Sequence, residues 1–191
     1  MLTLRRPRMQ AIQKFQREQA ALKITYAPGS DVIEPPPGFI ADSSHVALGH
    51  GEVVFRRAKE GLEGWQHFRL GWVEALPEGM PLEVGQVVAI LARLPLFWCL
   101  NACRIIAVID EDSSTKRFGF TYATLPDHVE SGQERFLIEW NQGSGEVCYA
   151  IKAVSRPRHW LARLAYPWTR RVQKRFARDS CLATKRFVSN E

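Results

Sequence analysis

The stretch Phe118-Gly-Phe-Thr-Tyr-Ala-Thr-Leu-Pro-Asp-His-Val-Glu-Ser-Gly-Gln-Glu-Arg-Phe136 reads as strand, tight connection, strand. Phe118, Phe120, Tyr122 and Thr124 alternate with Gly119, Thr121, Ala123 and Leu125. That period of two gives a sheet two unlike faces. Pro126-Asp127 and Ser131-Gly132 are turn chemistry, so the second strand is expected from Glu134. It carries Phe136, Ile138 and Trp140 on one face. Between the strands lies the densest ionisable cluster of the chain: Asp127, His128, Glu130, Glu134 and Arg135.

Toward the C-terminus, Asn141–Gly145 is a turn, and Glu146–Val154 is a last strand with Val147, Tyr149, Ile151 and Ala153 on one face. Ser155-Arg-Pro157 then opens a helical ending. Leu161, Leu164, Trp168, Val172, Phe176, Ala183 and Phe187 recur at three- and four-residue steps, the stripe of a long amphipathic helix with a basic outer face. Pro167 predicts a kink or a fresh start within it.

Toward the N-terminus, Arg104–Asp110 is expected as a strand, preceded by Leu94–Leu100, the most apolar piece of the chain. Gly85–Arg93 is nearly continuously apolar, as in a strand buried on both faces. Trp72–Leu76 and Val46–Leu48 are short strands. Glu52 to about His67 reads as a helix weakened at Gly61 and Gly64. Residues 22–38 are a connector containing Pro35-Pro-Pro37, with Ile24–Tyr26 as a candidate strand. A basic amphipathic helix is expected from Arg8 to Ala20; its scarcity of acids also permits an organellar-targeting reading.

The order is strand, helix, about six strands joined mostly by hairpin-length turns, then one long helix. This predicts an α+β fold, divided into an N-terminal basic helix and connector (1–38) and one domain (39–191). An antiparallel sheet must bury one face. The C-terminal helix is the element long and apolar enough to cover it, and a curved sheet gripping that helix leaves a cavity between them.

Composition narrows the classes. A chain of 191 residues fits one domain. Its four cysteines are too few and too irregular for a secreted disulfide scaffold, which suits reduced thiols and a cytoplasmic location. No apolar run reaches the roughly 18–20 residues of a membrane span. The net charge of +6 hides an acidic body, since residues 21–151 carry −7 and both ends are basic. Such ends suit nucleic acid or an anionic membrane surface, or neutralise the body within the fold. No RNA-binding motif accompanies them, so nucleic acid is disfavoured.

The chemistry-bearing groups are few. His128, Glu130 and Glu134 are candidates for an acid–base pair or a metal site. The competing reading is a hydrogen-bonded turn in which carboxylates cap free N–H groups, and it is preferred. Cys99, Cys103 and Cys148 lack zinc spacing, so no metal and no cofactor is expected. No nucleophile elbow, phosphate loop or dinucleotide fingerprint occurs. Trp65, Trp98, Phe120, Tyr122, Thr124, Tyr149 and Trp168 are candidate pocket residues, and Arg104 is a candidate partner for a ligand carboxylate.

The pattern resembles, in topology, the helix-grip architecture of START lipid-transfer domains, polyketide cyclases and the birch-pollen-allergen type. A sharper resemblance is to an uncharacterised bacterial and plant family, domain of unknown function nineteen-ninety. It rests on Leu48-Gly-His-Gly-Glu52 with Phe55, Ala58 and Trp65; on Leu100-Asn-Ala-Cys-Arg104; and on Phe118 to His128 with Glu130 to Phe136. Ser155-Arg-Pro157, Pro167 and Gln173 to Arg178 complete it, and it spans about Phe15 to Phe187. Gln133 departs from a pattern that tends to be acidic there. The family implies no activity; the helix-grip kinship implies a cavity for a small apolar or amphipathic ligand. The expected function is lipid-like ligand binding without turnover. The alternatives are an enzyme of the same fold, a cyclase or hydrolase using His128 with Glu130 or Glu134, and a peripheral membrane or protein-interaction module.

Overall fold

The computed structural model describes residues 1–26, 35–158 and 166–190. Its organising element is one antiparallel sheet. The strands are β1 (Leu2–Thr3), β2 (Ile40–His50), β3 (Val73–Leu76), β4 (Val87–Arg93), β5 (Trp98–Glu111), β6 (Thr115–Thr124), β7 (Glu130–Asn141) and β8 (Glu146–Pro157). They lie in the order β2-β8-β7-β6-β5-β4-β3, with the short β1 on β5. From β3 to β8 each strand pairs with the next, a meander of hairpins. β2 closes the far edge on β8. Helix α2 (Glu52–Glu63) and a 3-10 turn (Gln66–Phe68) carry the chain from one edge of the sheet to the other. Helix α3 (Tyr166–Ser189) packs against the same face, and the sheet curls around it as the patterning predicts.

Two cores follow from the alternation. On the concave face, Phe118, Phe120, Phe136, Ile138, Tyr149 and Ile151 meet Trp65, Phe68 and the apolar stripe of α3. On the convex face, Ile12 and Phe15 of α1 (Met9–Ala20) cover Val87, Ala89, Leu91 and Leu100. β4 is thus covered on both sides, as its unbroken apolar run requires.

Several boundaries move. β7 begins at Glu130, because Ser131 and Gly132 pair with Arg156 and Ser155 of β8 instead of forming a turn. The connection shrinks to Leu125–Val129, closed by the His128 N–H on the Leu125 carbonyl at 2.9 Å. β5 begins at Trp98, because Val87–Arg93 pairs with Trp98–Arg104 and leaves only Leu94–Phe97 as the hairpin tip. Ser155-Arg-Pro157 extends β8. Pro167 lies in the first turn of α3, where its missing N–H leaves no helical bond unmade. Leu161 and Leu164 lie outside the described residues. Gly61 sits inside α2, where an added Cβ would lie 2.7 Å from the Phe187 ring. Its small size lets α2 and α3 approach, which offsets its poor helix propensity. Ile24–Tyr26 forms no strand; Thr25 bonds the Thr124 carbonyl through its N–H at 2.9 Å.

Candidate functional site

The concave face is unevenly filled. Its half nearest α2 carries the large rings just named. Its other half carries Ser44, Ala92, Cys99, Asn101, Gly132, Ala153 and Ser155, side chains too small to reach α3. The helix therefore stands off the sheet, leaving a cavity of about 1010 Å³. That lies at the upper end of ligand-pocket sizes, roughly 300–1,000 Å³. Trp168, Val172, Phe176 and Ala177 of α3 form one wall, with Ile90, Ile151 and Phe68 facing them. The Leu94–Phe97 tip and Leu2–Leu4 also border it. Phe97 contacts Trp168, their ring centroids 6.2 Å apart.

Polar groups gather where β2, β6, β7 and β8 meet α3. Arg170 donates two hydrogen bonds to the Asp42 carboxylate, at 2.5 and 2.6 Å, and a third to the Gln173 side-chain oxygen at 2.7 Å. Gln173 donates to Glu130 at 2.5 Å and to Ser155 at 3.2 Å. Tyr122 donates its hydroxyl to Glu134 at 2.6 Å. The Glu130 N–H donates to Nδ1 of His128 at 3.0 Å. Glu130, Glu134 and His128 all border the cavity. They sit deep within the protein, so the surface left to them is cavity wall.

That placement sets their protonation. Burial pushes Glu134 up to about 7; Glu130 and Asp42 add to the rise, and the Tyr122 hydroxyl opposes it. Burial also raises Glu130, against the Gln173 hydrogen bond and the Arg170 charge. His128 falls to about 4 through burial, so its ring is neutral near pH 7. The arrangement can therefore hold or move a proton at Glu134, while His128 braces the turn through Nδ1.

Of the residues singled out from sequence, Tyr122, Thr124, Trp168, His128, Glu130 and Glu134 are brought to one cavity. Trp65, Phe120 and Tyr149 lie in the solid part of the concave core, where the Trp65 indole N–H donates to the Met80 carbonyl and Tyr149 bonds Ser180. Trp98 packs against the convex cluster beneath Arg6. Arg104 donates to the Ala20 carbonyl at 2.7 Å. Odd and even positions along β5 face opposite ways, so Trp98 and Arg104 sit across the sheet from Cys99 and Asn101. The Cys99, Cys103, Cys148 and Cys181 thiols are free. Among the described residues, no three His, Cys, Asp or Glu are placed to hold a metal ion. No described helix is long and apolar enough to cross a membrane. Asp42, Ser155, Arg170 and Gln173 were not read as site residues. Gln173 falls in the family resemblance; Asp42 has no sequence signal, because its role appears only when β2 closes on β8.

Comparison with known proteins bears on the fold and the family. Residues 25–183 match the family described as "Domain of unknown function (DUF1990)". A UPF0548 protein of Dictyostelium discoideum is 41% identical over 152 residues, covering 75% of this chain and 70% of that protein. A UPF0548 protein of Arabidopsis thaliana is 34% identical over 155 residues, covering 80% and 75%. The crystal structure of a hypothetical protein, jhp0584, from Helicobacter pylori superposes with a TM-score of 0.55 at 10% identity, covering 85% of this chain and 99% of that one. The crystal structure of Ara h 8.0201 gives 0.47 at 12% identity, covering 81% and 100%. At 10% identity the jhp0584 match shows the fold alone.

Proposed function

The chain belongs to the DUF1990 family, and on that premise we propose that it binds a small amphipathic molecule between the sheet and α3. The observation that carries this reading is the cavity: large, apolar along its walls, with its polar groups gathered where α3 faces β7. A solid core fills such a space with side chains, since interiors pack to crystal density. Here Ala92, Cys99, Asn101, Gly132 and Ala153 of the sheet are too small to fill the space beneath α3, so the gap belongs to the sequence. An apolar chain laid along Val172, Phe176 and Ile151 would gain about 25 cal/mol per Å² of surface removed from water.

Ala153 lies on the concave face of β8 and borders this space. Ala153→Trp is expected to fill the cavity and keep the cooperative unfolding of the parent. Native mass spectrometry of protein purified from its own cells should then show a retained small molecule on the parent and none on the variant. A parent that carries nothing and displaces no apolar fluorescent probe would overturn the reading.

A second reading has one observation in its favour. Glu134, near pH 7 and facing a cavity, is poised for general acid–base work. The same measurement separates the two, because turnover changes the mass of the bound molecule on incubation and binding does not.

A further inference from the structure

The polar end of the cavity has more acceptors than donors. Asp42, Glu130 and Glu134 come together there, and the guanidinium of Arg170 is held by Asp42 and Gln173. The nearby donors already have acceptors: the Tyr122 hydroxyl in Glu134, the Gln173 amide in Glu130 and Ser155. Among the described residues, one oxygen of Glu130 and one of Glu134 accept no hydrogen bond. Of the other cations, Lys174 borders the cavity but is itself exposed, and the N-terminal ammonium donates to the Leu100 carbonyl at 2.7 Å. Among the described residues, the Nε2–H of His128, whose Nδ1 accepts from Glu130, is a donor with no acceptor. A carboxylate oxygen open to the cavity gains from a ligand that brings donors and positive charge.

Resting on the cavity reading above, we propose that the ligand is a primary amine, its ammonium head received at Glu134 with Glu130 beside it. Its apolar body runs along α3 toward Trp168 and the Leu94–Phe97 tip. Among the described residues, a carboxylate or phosphate head would meet two glutamates and no unengaged buried cation at that end. The groups facing Glu134 are Tyr122 from β6, Glu130 from β7 and Asp42 from β2. Those of α3, Arg170 and Gln173, are engaged as described. Burial raises Glu134 toward 7 and favours its protonated form, whereas an ammonium at hydrogen-bond distance favours its charged form. Binding of an amine therefore expels a proton from Glu134, and affinity rises with pH through 7.

The test is displacement of a neutral fluorescent probe, N-phenyl-1-naphthylamine, by decylamine, decanol and decanoate at pH 7. Decylamine is expected to bind at least about tenfold more tightly than the other two, the worth of a hydrogen bond to a charged group. Calorimetry in two buffers of different ionisation enthalpy should show net proton release on decylamine binding at pH 7. Glu134→Gln should abolish both the release and the preference for decylamine over decanol. Decanol or decanoate binding as tightly as decylamine would overturn the amine assignment and leave the cavity reading standing. Amine binding with no proton release from the parent protein would also overturn it, whether or not the variant folds. Failure of all three compounds to displace the probe would overturn both.

Discussion

His67→Phe is expected to make the protein more stable at neutral pH and much more resistant to acid. His67 is 1% exposed and lies among Trp65, Phe68, Phe120 and Phe136. Neither ring nitrogen has a hydrogen-bond partner among the described residues. An imidazole so placed is neutral; burial takes it from the ordinary 6.5 down to about 3. The unfolded chain takes up a proton on this ring below pH 6.5 and the folded chain does not until about pH 3. His67 therefore weakens the fold progressively across that window, by about 3 kcal/mol at pH 4. Phenylalanine has the same general shape and no polar atom to desolvate, so a gain of roughly 1–3 kcal/mol is expected at pH 7 as well. The variant's profile will not be flat. His128, taken to about 4 by burial, destabilises in the same direction, whereas Glu134, raised to about 7, favours the folded state as pH falls from 7 toward 4.5. Urea unfolding of parent and variant at pH 7 and pH 4 isolates His67 by difference. Two curves separated by a constant amount would show that His67 is not held neutral.

Gly132→Ala is expected to cost about 3 kcal/mol or more, with loss of native near-ultraviolet dichroism as an extreme outcome. Gly132 lies between β6 and β8, where an added Cβ would overlap the carbonyl oxygen of Val154 and crowd Cα of Ser155. The obstacle is backbone, so no rotamer change relieves it. The same residue holds the end of the β6–β7 hairpin: its N–H donates to the Thr124 hydroxyl at 3.0 Å, and that hydroxyl donates to the Gly132 carbonyl at 3.2 Å. Gly143 provides the control. It sits in the Asn141–Gly145 turn, where an added Cβ meets only the Asn141 side-chain oxygen at 3.3 Å. Gly143→Ala should change stability by no more than about 0.5 kcal/mol. Equal effects at the two positions would refute the close approach of β8 at Gly132.

Both glycines carry the same local sequence signal. Ser131-Gly132 and Gly143-Ser144-Gly145 are equally good turn candidates by composition. What separates them is the partner strand: Ser131 and Gly132 are held extended by Arg156 and Ser155, which lie more than twenty positions onward. The Trp98–Cys103 segment shows the same effect. Its lack of clean alternation hid a strand buried on both faces, and the β4 register made it one. By contrast, the Phe118–Thr124 hairpin arm, the β4 run, α1 and the α3 stripe were legible, because one-sided burial writes a period into the chain.

The candidate site divides along the same line. His128, Glu130 and Glu134 stood out as an ionisable cluster, and Tyr122 and Thr124 followed from their parity on β6. Trp65, Trp98, Arg104, Phe120 and Tyr149 have the composition of pocket residues but lie elsewhere, because aromatic and amphipathic side chains serve cores and pockets alike. Asp42, Arg170 and Gln173 come from the first strand of the curled path and the last helix, 128 positions apart in the case of Asp42 and Arg170. The sequence by itself determined the alternating strands, the amphipathic helices and the family, since each is written in neighbours a few positions apart. The cavity, the neutral His67 and the raised Glu134 were decided only by the tertiary structure. Each depends on which side chains from distant elements fill, or fail to fill, the space around a group, and desolvation is a property of that space.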